Sequence, residues 1–165
     1  DFRCRRRRPH WCMEETPTRT ILDPPARLAL RTRFRGLAPD TAPRWGRMTA
    51  AQMLVHLSDQ MRHTLGDASA VPRPGPLRWP LLRHAAMLWL PWPHGRAQGP
   101  PEAFLTRPTT WAADLVTFET LVDRFVQQEQ RAVWPEHAIF GPMTRRSWGL
   151  FCHRHFDYHL RQFSA

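Results

Sequence analysis

The sequence predicts an all-α domain. Four stretches place apolar residues at helical spacing between recognisable start and stop signals, and no stretch alternates with the period of two that a half-buried strand requires. The chain has 165 residues, 42% hydrophobic and 23% charged, the size and balance of one globular domain. The simplest arrangement is a four-helix bundle with a Pro/Trp-rich insertion between the second and third long helices.

Residues 1–20 carry Arg, Thr and Pro without periodicity and are expected to form a disordered leader. Met13 opens a more ordinary stretch, so residues 1–12 are expected to precede the native start, and the domain is assigned to 21–165. The first helix begins where Asp23 caps and Pro24 takes the first helical position, and its pattern runs through Leu28, Leu30 and Phe34 toward Gly36. Thr49-Ala50-Ala51-Gln52 reads as a capping box, and Ala50, Met53, Leu54, Leu57, Met61 and Leu65 then form a helical stripe ending at Gly66. Residues 67–109 are dense in proline and hold Trp79, Trp89 and Trp92, with one short helix expected near Pro80 to Leu90. This segment is too apolar to hang in solvent, so it is expected to pack over the domain, with Trp89 and Trp92 at the substrate entrance. Thr110 caps the third long helix, whose stripe is Trp111, Leu115, Phe118, Val122 and Phe125. Thr144 starts the fourth, which runs to about Phe163.

The formal charge of +10 raises the question of nucleic acid, but its basis is unusual. All 24 basic residues are Arg, Lys and Asn are absent, and there are one Tyr and two Ile, the pattern of a GC-rich coding sequence. The Arg residues are scattered and no recognised binding motif accompanies them, so nucleic acid is not the expected partner. No apolar run approaches the ~20 residues of a bilayer span, since Leu77 to Trp92 is broken by Arg78, Pro80, Arg83 and Pro91. The basic start has no apolar stretch behind it that would make a secretion signal. Cys4, Cys12 and Cys152 form no disulfide framework or metal knuckle, and a reducing cytoplasm is the expected location.

Nine histidines carry the chemistry worth sorting. His10 falls in the leader, and His84, His94 and His137 fall in or beside Pro-rich segments where a surface position suffices. In the last helix Trp148, Cys152, His155 and His159 occupy i, i+4, i+7 and i+11, so the two histidines lie one turn apart on an inward face. A polar group there must be hydrogen-bonded or ligated, and two adjacent imidazoles resist joint protonation. A metal ion answers both demands, and an i, i+4 His pair is the geometry of the HExxH zinc helix. On the second helix His56 flanks the apolar stripe and is admissible as a third ligand, whereas His63 is read as a solvated helix end. His153 faces elsewhere.

Arg44-Trp45-Gly46-Arg47-Met48-Thr49-Ala50-Ala51-Gln52-Met53-Leu54 leading into His56, Trp92-Pro93-His94-Gly95, Phe140-Gly141-Pro142-Met143 and His155-Phe156-Asp157-Tyr158-His159-Leu160-Arg161-Gln162-Phe163 together resemble the DinB-like, or YfiT-like, superfamily of metal-dependent enzymes, in a branch catalogued as a bacterial domain of unknown function. The resemblance spans about Leu22 to Phe163. It implies a four-helix bundle with metal ligands His56, His155 and His159. Branch members usually have two adjacent His near the end of the last motif, and here the first of the two is Tyr158.

Three neutral imidazoles leave a coordination position open, unlike a closed structural site. The expected cofactor is a divalent transition metal, zinc, nickel or iron, and the resemblance adds a low-molecular-weight thiol as co-substrate. It implies a thiol-dependent transferase, with a metal-dependent hydrolase second and a non-enzymatic helical binding module as the competing class. Asp59, i+3 from His56, and Gln162, i+3 from His159, are positioned to support the ligands, with Tyr158 a further neighbour. The expected partner is a small-molecule substrate, without a membrane, and a homodimer is compatible with such a domain. Cys152 in apolar surroundings is not expected to act as a catalytic thiol.

Overall fold

The computed structural model describes residues 19–92, 94 and 104–165. The leader, except for its last two residues, the start at Met13 and part of the Trp92-to-Gly95 motif lie outside them. The described residues form an all-α structure of five α-helices and one 3-10 turn, with no strand beyond an isolated bridge between His137 and Gly141.

α1 (Pro24–Gly36) starts behind Asp23, but the Asp23 side chain makes no capping bond. The reason is in the next two residues: Pro24 and Pro25 lack the N–H groups that leave a helix start unsatisfied. Ala26, Leu30 and Phe34 are buried, and Leu28 is 64% exposed, contrary to the expected stripe, because it stands only two residues from Leu30 and so on the far side of the turn. α2 (Ala50–Leu65) has the expected capping box. Thr49 Oγ1 accepts from Gln52 N at 3.1 Å and Gln52 Oε1 accepts from Thr49 N at 2.9 Å, and Gly66 ends the helix in the left-handed region at φ +82°.

The segment after α2 makes the 3-10 turn Pro76–Arg78 and a short helix, α3 (Pro80–Leu88). α3 packs on the last helix, burying Ala86 and Met87. Trp79 and Trp89 are 66% and 75% exposed, which overturns the expectation that this apolar surface is covered. They stand at the two ends of a nine-residue helix with too little length to bury more than its middle.

α4 (Trp111–Gln127) buries Phe118, Leu121, Val122 and Phe125, with Trp111 and Leu115 half-buried. α5 (Arg145–Gln162) is capped by Thr144, whose side chain accepts from Ser147 N. α1 and α2 each pack against both α4 and α5. Phe34, Phe118 and Phe156 meet edge to face inside, with centroids 4.8 to 6.1 Å apart. Glycine is required at Gly149 of α5, where a Cβ would collide with Thr20 Oγ1 and crowd Leu22, since the segment before α1 crosses the helix there. No helix of the described residues is long and apolar enough to cross a membrane.

The loop into α5 corrects the reading of His137, which is buried rather than at the surface. Its Nδ1 accepts from the backbone N–H groups of Ile139 and Phe140 at 3.1 and 3.2 Å, closing a tight turn that Gly141 finishes at φ +72°.

Candidate metal centre

α2 and α5 pack side by side and bring His56, His155 and His159 to one buried point. His56 Nε2 lies 3.2 Å from His155 Nε2, and His159 Nε2 lies 3.1 Å from the same atom. All three ligand atoms fall within 4.8 Å of one another. Nitrogens ~2.1 Å from a common ion stand ~3.0 to 3.4 Å apart for ligand angles between a right angle and tetrahedral, and the two spacings from His155 fall in that range.

The protonation of the cluster follows from its partners. Gln162 Nε2 donates to the Trp45 carbonyl at 2.8 Å, which turns Gln162 Oε1 toward His159 Nδ1 at 2.9 Å. An amide oxygen only accepts, so His159 Nδ1 carries the proton and Nε2 presents a lone pair to the cluster. Burial, then the neighbouring His56, pushes His159 down to about 3. Burial first, and then the charges His159, His56 and His137 would carry, hold His155 well below the usual histidine range. His155 and His159 near neutral pH are therefore neutral imidazoles, the form that binds a transition metal. His155 Nδ1 is buried with no hydrogen-bond partner, so a second protein group does not dictate which of its nitrogens is protonated. These observations fit a metal ion.

Gln162 depends on the segment before α2. Arg44 N donates to the Gln162 carbonyl at 2.7 Å, and Gly46, at φ +78°, lies so close that a Cβ there would meet Gln162 Nε2 at 3.0 Å. The Trp45-Gly46 pair thus serves to seat the amide that fixes the His159 ring.

Asp59 acts differently from the expectation that it orients His56. Its carboxylate accepts from Leu105 N and Thr106 N at 3.0 and 2.8 Å, from Thr106 Oγ1 at 2.5 Å and from Arg62 at 2.7 Å. It pins the segment before α4 across α2, and that segment carries Phe104, whose ring stacks on His56 at 4.7 Å and 15°. Tyr158 meets the His159 ring edge-on at 5.2 Å. Trp92 lies 5.8 Å from His155, tethered by its Nε1 to the Ala86 carbonyl at 3.0 Å, whereas Trp89 is turned out to solvent at the end of α3. His63 is buried, not solvated, and its Nδ1 lies 3.1 Å from the Ala68 carbonyl, at the close of α2.

A cleft of about 420 Å3 opens beside the cluster, with His56 in its wall together with Met48, Val55, Phe104, Arg47 and Arg107. Phe104 and the two arginines had no periodic signal in the sequence. Their positions depend on contacts between segments far apart in the chain, which no local pattern carries.

Compared with protein-family models, with curated proteins and with solved structures, the chain matches none.

Proposed function

We propose that the chain is a divalent-metal-dependent enzyme that holds its ion through His56, His155 and His159 and uses an external thiol, as a thiol-dependent transferase. The observation that carries the metal reading is the convergence of three buried histidines, of which His155 and His159 resist protonation. The cycle of contacts in which α1 and α2 each meet α4 and α5 supports a four-helix bundle, and the bundle together with the ligand set supports the DinB-like resemblance.

An ion bound there supplies Lewis acidity, lowering the pKa of a thiol or water that reaches its open position. The chain's residues do the rest. Gln162 holds the His159 tautomer, Phe104 covers the His56 ring, and Trp92 and Phe151 exclude water along His155. Among the described residues no thiol is available as nucleophile, since Cys152 is sealed between Met61 and Thr64 with its thiol pushed up to about 12 by burial. A small thiol meets that need, in a reducing cytoplasm, with water as the nucleophile of the hydrolase alternative.

Tag-free protein is expected to contain about one equivalent of zinc, nickel or iron, lost in both His155→Ala and His159→Ala. In cobalt-substituted protein, added 2-mercaptoethanol should produce a sulfur-to-metal charge-transfer band. Protein that takes up no metal overturns the reading, and a metal site without the band leaves the hydrolase.

A further inference from the structure

The wall of the cleft beside the histidine cluster has a sign. Among the described residues its lining combines His56 with the apolar Met48, Val55, Phe104 and Pro108 and with two cations, Arg47 and Arg107, and includes no acidic residue. Six arginines elsewhere are neutralised: Arg31, Arg33, Arg35, Arg62, Arg78 and Arg124 each pair with an Asp or Glu at 2.6 to 2.8 Å. Arg47 and Arg107 make no ion pair or hydrogen bond among the described residues, so their guanidinium groups are available to a ligand.

The backbone next to each is held by groups that flank the metal ligands. Gln162, which bonds His159, also holds the Trp45 carbonyl two residues before Arg47. Asp59, one turn from His56, binds the Thr106 amide one residue before Arg107. The backbone carrying each arginine is thus tied to a helix carrying a histidine ligand, which keeps both cations within reach of the cluster.

We propose that this cleft binds a small organic anion, its carboxylate or phosphate held by Arg47 and Arg107, its apolar body against Met48, Val55 and Phe104, and its reacting end toward His56. This names the substrate class of the proposed metal enzyme and rests on that reading for its role in catalysis. A planar guanidinium fits either oxyanion in bidentate fashion, and the cleft volume lies within the range of small-molecule sites.

The test is calorimetric titration of the protein, metal-loaded and metal-free, with three probes: benzoate, its uncharged isostere benzamide, and inorganic phosphate. Benzoate or phosphate should bind, and whichever binds identifies the oxyanion. Affinity should fall steeply with added salt, by about tenfold in each of Arg47→Gln and Arg107→Gln, and return in part with the Lys variants. Benzamide should not bind. Both arginines are exposed, so the variants should keep the wild-type melting temperature. Equal binding of benzamide, or wild-type affinity in both Gln variants, overturns the proposal. Metal uptake without Arg-dependent anion binding overturns it and leaves the metal reading standing. Arg-dependent anion binding in a protein that takes up no metal supports the cleft and overturns the metal reading.

Discussion

His137 and His155 are both buried, both held neutral by burial, and both packed against the ring of Phe151, at 4.7 and 5.3 Å. Their ring nitrogens have different destinations. His137 turns Nδ1 to two backbone N–H groups and so closes the turn before α5. His155 turns Nε2 to two other histidine nitrogens, and its Nδ1 has no partner. Burial and a depressed pKa are therefore common to a structural histidine and a candidate ligand. What separates them is whether the lone pairs are engaged by the protein's own donors.

Exchange of each residue for Ala breaks the comparison most directly. His137→Ala leaves two buried N–H groups unsatisfied and a cavity behind, for a loss of about 2 to 4 kcal/mol and several degrees of melting temperature, with metal content unchanged. His155→Ala should abolish metal binding and, in metal-free protein, cost less than His137→Ala, since it leaves a cavity but removes a ring with an unsatisfied nitrogen and orphans no backbone N–H. The pH dependence sharpens the contrast. Folded His137 stays neutral down to about 3, whereas the unfolded chain protonates it near the ordinary 6.5. Below 6.5 the unfolded state therefore binds the extra proton, and the stability due to neutral His137 is complete above 6.5 and lost as pH falls toward 3, at about 1.4 kcal/mol per pH unit. Denaturant titrations between pH 7 and 4 should show this acid slope reduced in His137→Ala by about that amount. An unchanged slope would mean that His137 is not the buried neutral group described.

A smaller effect is expected at the amide that fixes one cluster histidine. Gln162→Leu keeps the volume but removes the acceptor for His159 Nδ1, freeing the ring to flip or change tautomer. Metal affinity should fall about tenfold, measured by competition with a chelator, and Gly46→Ala should act the same way by displacing the same amide. If Gln162→Leu binds metal as well as wild type, the tautomer is set by the ion alone.

How much of this was legible in the sequence follows from the range of each interaction. Thr49 and Gln52 cap α2 from within one turn, and His155 and His159 share a face because they are four residues apart; local spacing suffices for both. Which residue Gln162 touches was half legible, since the i+3 relation places it near His159 while its second bond, to Trp45, spans the chain. Asp59 has the same i+3 relation to His56, yet its carboxylate serves the amides of Leu105 and Thr106, more than forty residues on. His137 was misread for the same reason: proline-rich surroundings suggest surface, and nothing local reveals that Phe151 and Trp148 of α5 close over it.

The Pro/Trp-rich segment allows the finest test of the contrast between packing and site, because its two candidate entrance residues have separated. Trp92 bonds the Ala86 carbonyl, lies under the Arg154 guanidinium at 5.3 Å and stands 5.8 Å from His155, whereas Trp89, 75% exposed, ends α3 in solvent. Trp92→Leu removes the indole donor and part of the wall along His155, so it should cost about 1 kcal/mol and also alter thiol or anion binding at the cluster. Trp89→Leu replaces one exposed apolar side chain by another and should stay within about 0.5 kcal/mol in stability, with binding unchanged. Parallel thermal melts and titrations of the two variants check this. A binding change in Trp89→Leu would return that residue to the entrance, and a silent Trp92→Leu would reduce the segment to a cover over α5 with no part in the site.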